Sequence, residues 1–307
     1  MQQQPLSDDL FRPVERDAEE AEKIAGPSLS YWKDAWRRFK KNKLALFGII
    51  VLLILTFMAI FGSAISGYNY HNTSLINANQ SPSGEHWFGT DALGRDMFSR
   101  TWYGARISLF IGLTAAIIDI IIGMIWGAVA GFVGGKVDEY MMRIADVLIG
   151  IPYLLVVILL MVVMEPGLFT IIIAMTLTGW INMARIVRGQ VLSMKSDEYV
   201  MAARSLGAST PRVLFRHLIP NTLGEILVTL TLTIPNAIFT EAFLSYLGLG
   251  VPAPMASWGT MSSEGVKAMQ YYPWELFFPA FFICLTMLAF NVIGDGMRDS
   301  LDPKERR

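Results

Sequence analysis

The chain has 307 residues and a net charge of −1, with 53% of residues hydrophobic and 17% charged; its mean hydropathy is +0.44. Soluble domains run at about 45–50% apolar and about 25% charged, so this composition disfavours a water-soluble protein, and no basic surplus points to nucleic acid. The single cysteine, Cys284, excludes an internal disulfide framework and any multi-cysteine metal site, and His71, His86 and His217 are too scattered for a histidine-rich metal centre.

Residues 1–28 carry seven acids (Asp8, Asp9, Glu15, Asp17, Glu19, Glu20 and Glu22) and little apolar content, so residues 1–29 are expected to form a solvated, disordered cytoplasmic tail. In the next stretch, 30–43, Trp32, Trp36 and Phe39 fall at i, i+4 and i+7, with Lys33, Arg37, Arg38, Lys40 and Lys41 around the rest. That pattern fits an amphipathic helix lying in the cytoplasmic interface; a plain basic flank for the following span is the alternative.

About 20 apolar residues cross the hydrocarbon core as a helix. Six segments meet or approach that length: Leu44–Ile65, Ile107–Val133, Val147–Met164, Leu168–Val187, Ile226–Leu247 and Leu276–Ile293. Each is expected to be helical, because lipid offers no partner for backbone N–H and C=O groups. The first begins after a long charged leader with no small-residue cleavage pattern close behind it, so it reads as a retained span. Glu165, Pro166 and Gly167 make a tight hairpin between the third and fourth. With the N-terminus inside, 21 of the 25 Lys and Arg residues fall on the cytoplasmic side; only Arg95, Arg100, Arg106 and Lys267 fall outside. Both termini are therefore cytoplasmic. The resulting division is a first transmembrane helix over 44–66, an extracytoplasmic loop over 67–104, a five-helix core over 105–297 with a cytoplasmic loop at 188–221, and a cytoplasmic tail over 298–307.

Within the second span, Gly112, Ala116, Asp119, Gly123, Gly127 and Gly131 recur at three or four residues. This small-residue stripe allows another helix to approach closely, and it turns Asp119 away from lipid, where an ionisable group costs ~3 kcal/mol. Asp119 lines a substrate path or pins a helix seam; both readings stand. Glu241 in the fifth span, Asn182 in the fourth and Asn291 in the sixth admit the same two readings.

The 188–221 loop carries paired helix signals. Ser196 is placed to cap a helix with Asp197 and Glu198 in its first turn, and Gly207 is placed to end it. Thr210 is placed to cap a second helix with Pro211 at its first position, which Pro220 would end. Ala202, Ala203 and Ser205 leave a small-residue face open to a cytosolic partner. On the outer side, Asp91 with Arg95 and Asp96 with Arg100 are acid-to-base pairs at i, i+4, each supporting a short helix by ~0.2–0.5 kcal/mol.

The run from Glu198 to Gly207 (EYVMAARSLG), followed by Leu218, Ile219 and Pro220, resembles the EAA loop of bacterial ABC-importer permeases in the spacing found in peptide-type permeases. The outer run from Phe88 to Arg100 (FGTDALGRDMFSR) is similar to the external segment of the C-type subunit in that subgroup. Further matches are EAFLSYLGLG at 241–250, SWG at 257–259 and GDGMRD at 294–299. The resemblance covers roughly residues 30–303. It implies an all-α, six-helix type I importer permease that is not itself an enzyme, in the cytoplasmic membrane, importing oligopeptides or dipeptides. It also implies the partners: a homologous permease subunit, two ATPase subunits that bind ATP and Mg, and an extracytoplasmic substrate-binding protein. On this reading Glu198, Tyr199, Ala202, Ala203, Arg204, Ser205 and Gly207 couple to the ATPases. Gly89, Thr90, Asp91, Gly94, Arg95, Asp96 and Arg100 belong to the outer docking surface, and Asp119, Asn182 and Glu241 are candidates for the path. Nickel, glutathione and antibiotic-peptide importers share these motifs.

The chain contains no GxxxxGK(S/T), HExxH or GxSxG stretch, so it carries no P-loop, zincin or hydrolase signature. No cofactor and no metal site are expected. A membrane enzyme or scaffold is the competing class, and it would work without ATP or an ATPase.

Overall fold

A computed structural model describes residues 31–301. The expected acidic tail at 1–29 and the end of the C-terminal tail, 302–307, lie outside the described residues. The fold is all-helical in the described residues, with only an isolated bridge between Thr90 and Asp96. In chain order the helices are α1 (Tyr31–Phe39), α2 (Lys43–Ile65), α3 (Met97–Val133), α4 (Gly135–Gly150), α5 (Tyr153–Met164), α6 (Leu168–Met194), α7 (Glu198–Ser205), α8 (Thr210–Val213), α9 (Ile219–Tyr246), α10 (Trp258–Ala268) and α11 (Trp274–Leu301).

The basic amphipathic stretch forms α1. Its ring stripe is split: Phe39 is buried against Ala45 and Ile293, whereas Trp32 and Trp36 stay exposed. Asn42 then accepts a hydrogen bond from the Ala45 amide and caps α2. Five helices are long and apolar enough to cross a membrane: α2, α3, α6, the continuous Thr210–Tyr246 helix and α11.

The third expected span needs correction. Val147–Met164 is not one helix, because α4 and α5 meet at an angle of 81°. Pro152 is the cause: it forbids helical conformation to the residue before it, and Ile151 is extended. At 12 residues, α5 is about 18 Å long, too short for a hydrocarbon core of about 30 Å. The bent pair makes a sixth crossing only when taken together.

The Pro220 stop is also corrected. The helix starting at Thr210 runs through a π turn, Leu214–Leu218, directly into α9. Pro220 lies just past the π turn inside this continuous helix, and the widened turn accommodates its missing N–H. The caps each shift by one position: Asp197 rather than Ser196 precedes α7, and Ser209 rather than Thr210 precedes α8, neither with a side-chain cap bond. Asn291 is exposed, not buried in the span.

The central packing is the α3–α6 seam that the glycine stripe anticipates. A Cβ on Gly123 would lie 2.6 Å from the Trp180 carbonyl oxygen and one on Gly131 2.9 Å from that of Arg188, while one on Gly127 would overlap the Ala184 carbonyl. These approaches leave no room for even a methyl group, so the backbones touch directly. On the other side of α3, α2 and α11 close the bundle around Leu55, Trp102, Trp258 and Phe282.

Candidate functional site

Three places in the fold carry the candidate residues: the cytoplasmic loop helix, a half-open cavity between helices and a cluster on the outer face. In the first, α7 presents Glu198, Met201, Ala202, Arg204 and Ser205 to solvent, along with half-exposed Tyr199. Val200 points the other way and is fully buried among Phe132 of α3, Val187 and Val191 of α6, and Leu214 and Leu218 of the π turn. Arg204 stacks over the Phe132 ring with its guanidinium carbon 5.0 Å from the centroid, and the Asn221 amide donates to the Tyr199 hydroxyl at 3.4 Å. One short helix is thus keyed into the cytoplasmic ends of three long ones. Ala203 is partly buried, so the small face expected at Ala202, Ala203 and Ser205 is presented mainly by Ala202 and Ser205. Gly207 ends α7 at φ +80°. The Ala208 amide bonds the Ala203 carbonyl at 3.0 Å and the Gly207 amide bonds that of Arg204 at 2.9 Å, the closure that a left-handed residue makes possible.

The second place is a cavity of about 320 Å³ between α3, α5, α6 and α9, lined by Asp119, Tyr153, Thr178, Asn182, Asn236 and Thr240 among others. Asp119 and Asn182 meet there. Asp119 is 6% exposed, and Gly179 faces it so closely that a side chain at 179 would collide with the carboxylate. It sits both in the α3–α6 seam and on the cavity wall. Sequence reasoning missed Thr233, Asn236 and Thr240, although their i, i+3, i+7 spacing marks a polar stripe within an apolar span.

Glu241 is elsewhere. It is fully buried and accepts hydrogen bonds from Ser108 of α3 at 3.0 Å, Ser245 of α9 at 2.8 Å and Ser257 at 2.6 Å. Ser257 also caps α10 in a capping box, so one carboxylate ties α3, α9 and α10 together.

The third place corrects the pairing expected for the outer motif. Asp91 does pair with Arg95, at 2.6 Å, but in a turn rather than a helix. Its other carboxylate oxygen accepts from the Leu93 and Arg95 amides. Asp96 does not pair with Arg100. It accepts from the Ser99 amide to cap α3 and bonds the His86 ring at 2.8 Å. Arg100 instead reaches Asp91 at 3.3 Å and Glu264 of α10 at 2.9 Å, and Glu264 also takes Arg95 at 3.1 Å. Thr90 is fully buried; its hydroxyl receives the Gln80 amide and donates to the Asn77 carbonyl. Gly89 and Gly94 adopt φ of +77° and +69°, and backbone occupies the space a Cβ would need at each. Turn geometry, invisible to i, i+4 counting, decided which charges meet.

Comparison with known proteins agrees with this architecture. Residues 119–307 match the family described as binding-protein-dependent transport system inner membrane component. Residues 30–82 match the N-terminal transmembrane domain of oligopeptide transport permease C. The chain is 63% identical over 304 residues to the oligopeptide transport system permease protein OppC of Bacillus subtilis, covering 99% of this chain and all of that one. It is 57% identical over 307 residues to the dipeptide transport system permease protein DppC of the same organism, covering all of this chain and 96% of that one. To OppC of Escherichia coli K12 it is 42% identical over 288 residues, 93% of this chain and 95% of that one. In fold it resembles a chain of the inward-facing MetNI methionine ABC transporter, with TM-score 0.53 and 15% identity over 65% of this chain and 94% of that one. The chain belongs to the binding-protein-dependent transport system inner membrane components, as a multi-pass, non-catalytic permease subunit of an ABC importer.

Proposed function

We propose that the imported solute is an oligopeptide or dipeptide and that this chain forms half of the translocation path, the other half coming from a homologous permease subunit. Two ATPase subunits, which bind ATP and Mg, dock on α7. An extracytoplasmic binding protein delivers substrate to the outer face around Gly89–Arg100. The observation that carries the coupling role is the placement of α7: its inner face is locked into α3, α6 and the π turn, while Glu198, Ala202 and Ser205 face the cytosol. A push on that helix therefore reaches three spans as rigid-body motion, the kind that alternating access requires. Asp119 and Asn182 line the path, and Glu241 holds the outer ends of α3, α9 and α10 in register.

The naming of the two B. subtilis relatives supports peptides over nickel or glutathione, which remain the competing solutes. The test is to purify the chain from its own cell and reconstitute it with the proteins that accompany it. We expect a homologous permease, two ATPases and ATP-dependent peptide uptake that requires the binding protein. A stable homodimer with no ATPase contradicts the importer assembly, and uptake of nickel or glutathione but not peptide contradicts the substrate.

A further inference from the structure

We propose that the Asp119 cavity is a transient subsite for a primary ammonium group of the passing substrate; the inference rests on the path reading above. Three observations converge on it. Asp119 is nine-tenths buried and lines the cavity, yet among the described residues its Oδ1 has no hydrogen-bond partner, and neither has the buried hydroxyl of Tyr153 on the same wall. Among the described residues no Lys, Arg or His lines the cavity, so the carboxylate lacks there the counter-charge that a group at this depth ordinarily finds. The threonines of the α9 stripe use their hydrogens inward: Thr233 donates to the Thr229 carbonyl and Thr240 to that of Asn236. Their oxygens are left as acceptors.

The wall therefore offers acceptors beside one unpaired carboxylate oxygen, together with the Asn182 and Asn236 amides and the Tyr153 hydroxyl, which can donate or accept. A primary ammonium carries three donors and the charge opposite to that of the Asp119 carboxylate, so it fits this wall better than an anionic group does. It would supply both the missing charge and the missing donors. The cavity lies at the lower end of the ~300–1,000 Å³ range of ligand pockets, which suits one end of a peptide rather than its whole length. Such a site need not bind tightly. It lowers the cost of bringing a charged chain end through an apolar bundle, and in the wild-type cycle the ammonium moves on when the spans rock.

The experiment uses the whole transporter in nanodiscs without its binding protein, in a Cys284→Ser, Thr178→Cys background that places one thiol on the cavity wall. Modification rates are compared for a cationic (ethylammonium) and an anionic (sulfonatoethyl) methanethiosulfonate reagent across nucleotide states. We expect the cationic reagent to react about ten-fold faster, as fields in charged clefts allow, and added Asp119→Asn to abolish that preference with assembly unchanged. We expect trialanine to slow the reaction and N-acetyl-trialanine not to. An N-acetylated peptide containing lysine then separates the two sources of ammonium: protection extends the subsite to the side chain, and no protection restricts it to the N-terminus. A cation preference that survives Asp119→Asn, or equal protection by acetylated and free trialanine, overturns the ammonium subsite and leaves the path intact. A thiol that neither reagent reaches in any nucleotide state overturns the path reading itself.

Discussion

Asp91 and Asp96 lie five residues apart in the outer motif and do different work, and the difference predicts different costs. Asp91 sits between two arginines, of which Arg100 is almost wholly buried. Asp91→Ala leaves that guanidinium short of a partner, and removing one member of a buried ion pair costs ~3 kcal/mol or more. Asp96→Asn keeps an oxygen that caps α3 and changes only the hydrogen bond to His86, a loss of ~1 kcal/mol. We therefore expect thermal unfolding of the assembled transporter to fall clearly further for Asp91→Ala; equal shifts would contradict this division. Glu241 gives a second contrast. Glu241→Leu strands three serine hydroxyls at ~1–3 kcal/mol each, so it should lower the yield of complex while peptide uptake per assembled complex stays near wild type. Reduced uptake by fully assembled complex would return Glu241 to the path. The sequence exposed these acids and the Asp91–Arg95 pair but not the distant partners, since Glu264 and Ser108 lie more than a hundred residues from the groups they bind.

At the scale of elements, the long helices were legible because hydropathy is a property of the chain alone. The bend at Pro152 and the π turn before Pro220 were not, because both depend on how a helix accommodates a proline in a packed setting. The α3–α6 seam lies between these extremes. Gly123, Gly127 and Gly131 announce a close approach, but only the structure identifies α6 as the helix that approaches. This yields a paired expectation. Gly127→Val drives a side chain into the Ala184 carbonyl and should prevent stable assembly, as overpacking forces backbone apart at ~1–3 kcal/mol or more. Gly150→Ala meets open space and should leave the yield of folded complex unchanged. Detergent-resistant complex, measured by size-exclusion chromatography, checks both, and a wild-type yield for Gly127→Val would refute the seam.

For the molecule as a whole, charge asymmetry along the sequence sets which side is cytoplasmic, and the proposed function makes α7 the handle on that side and the Gly89–Arg100 surface the outer dock. The handle depends on a backbone conformation at Gly207 rather than on space, because φ is +80° and nothing lies within 4 Å of where a Cβ would be. A left-handed conformation costs a β-branched residue ~1–2 kcal/mol, whereas asparagine tolerates it. Valine and asparagine at this position therefore differ in conformational cost while both fit the available room. Membrane insertion should be normal in both, since it follows hydrophobicity and flanking charge. The most direct test is ATP-driven peptide uptake, with co-purification of the ATPases, by complexes carrying Gly207→Val, Gly207→Asn or Ala203→Trp. We expect Gly207→Asn to retain most uptake, and Gly207→Val and Ala203→Trp to lose ATPase association or uptake. Wild-type association and uptake in both Gly207→Val and Ala203→Trp would contradict α7 as the transmission between ATP hydrolysis and the spans.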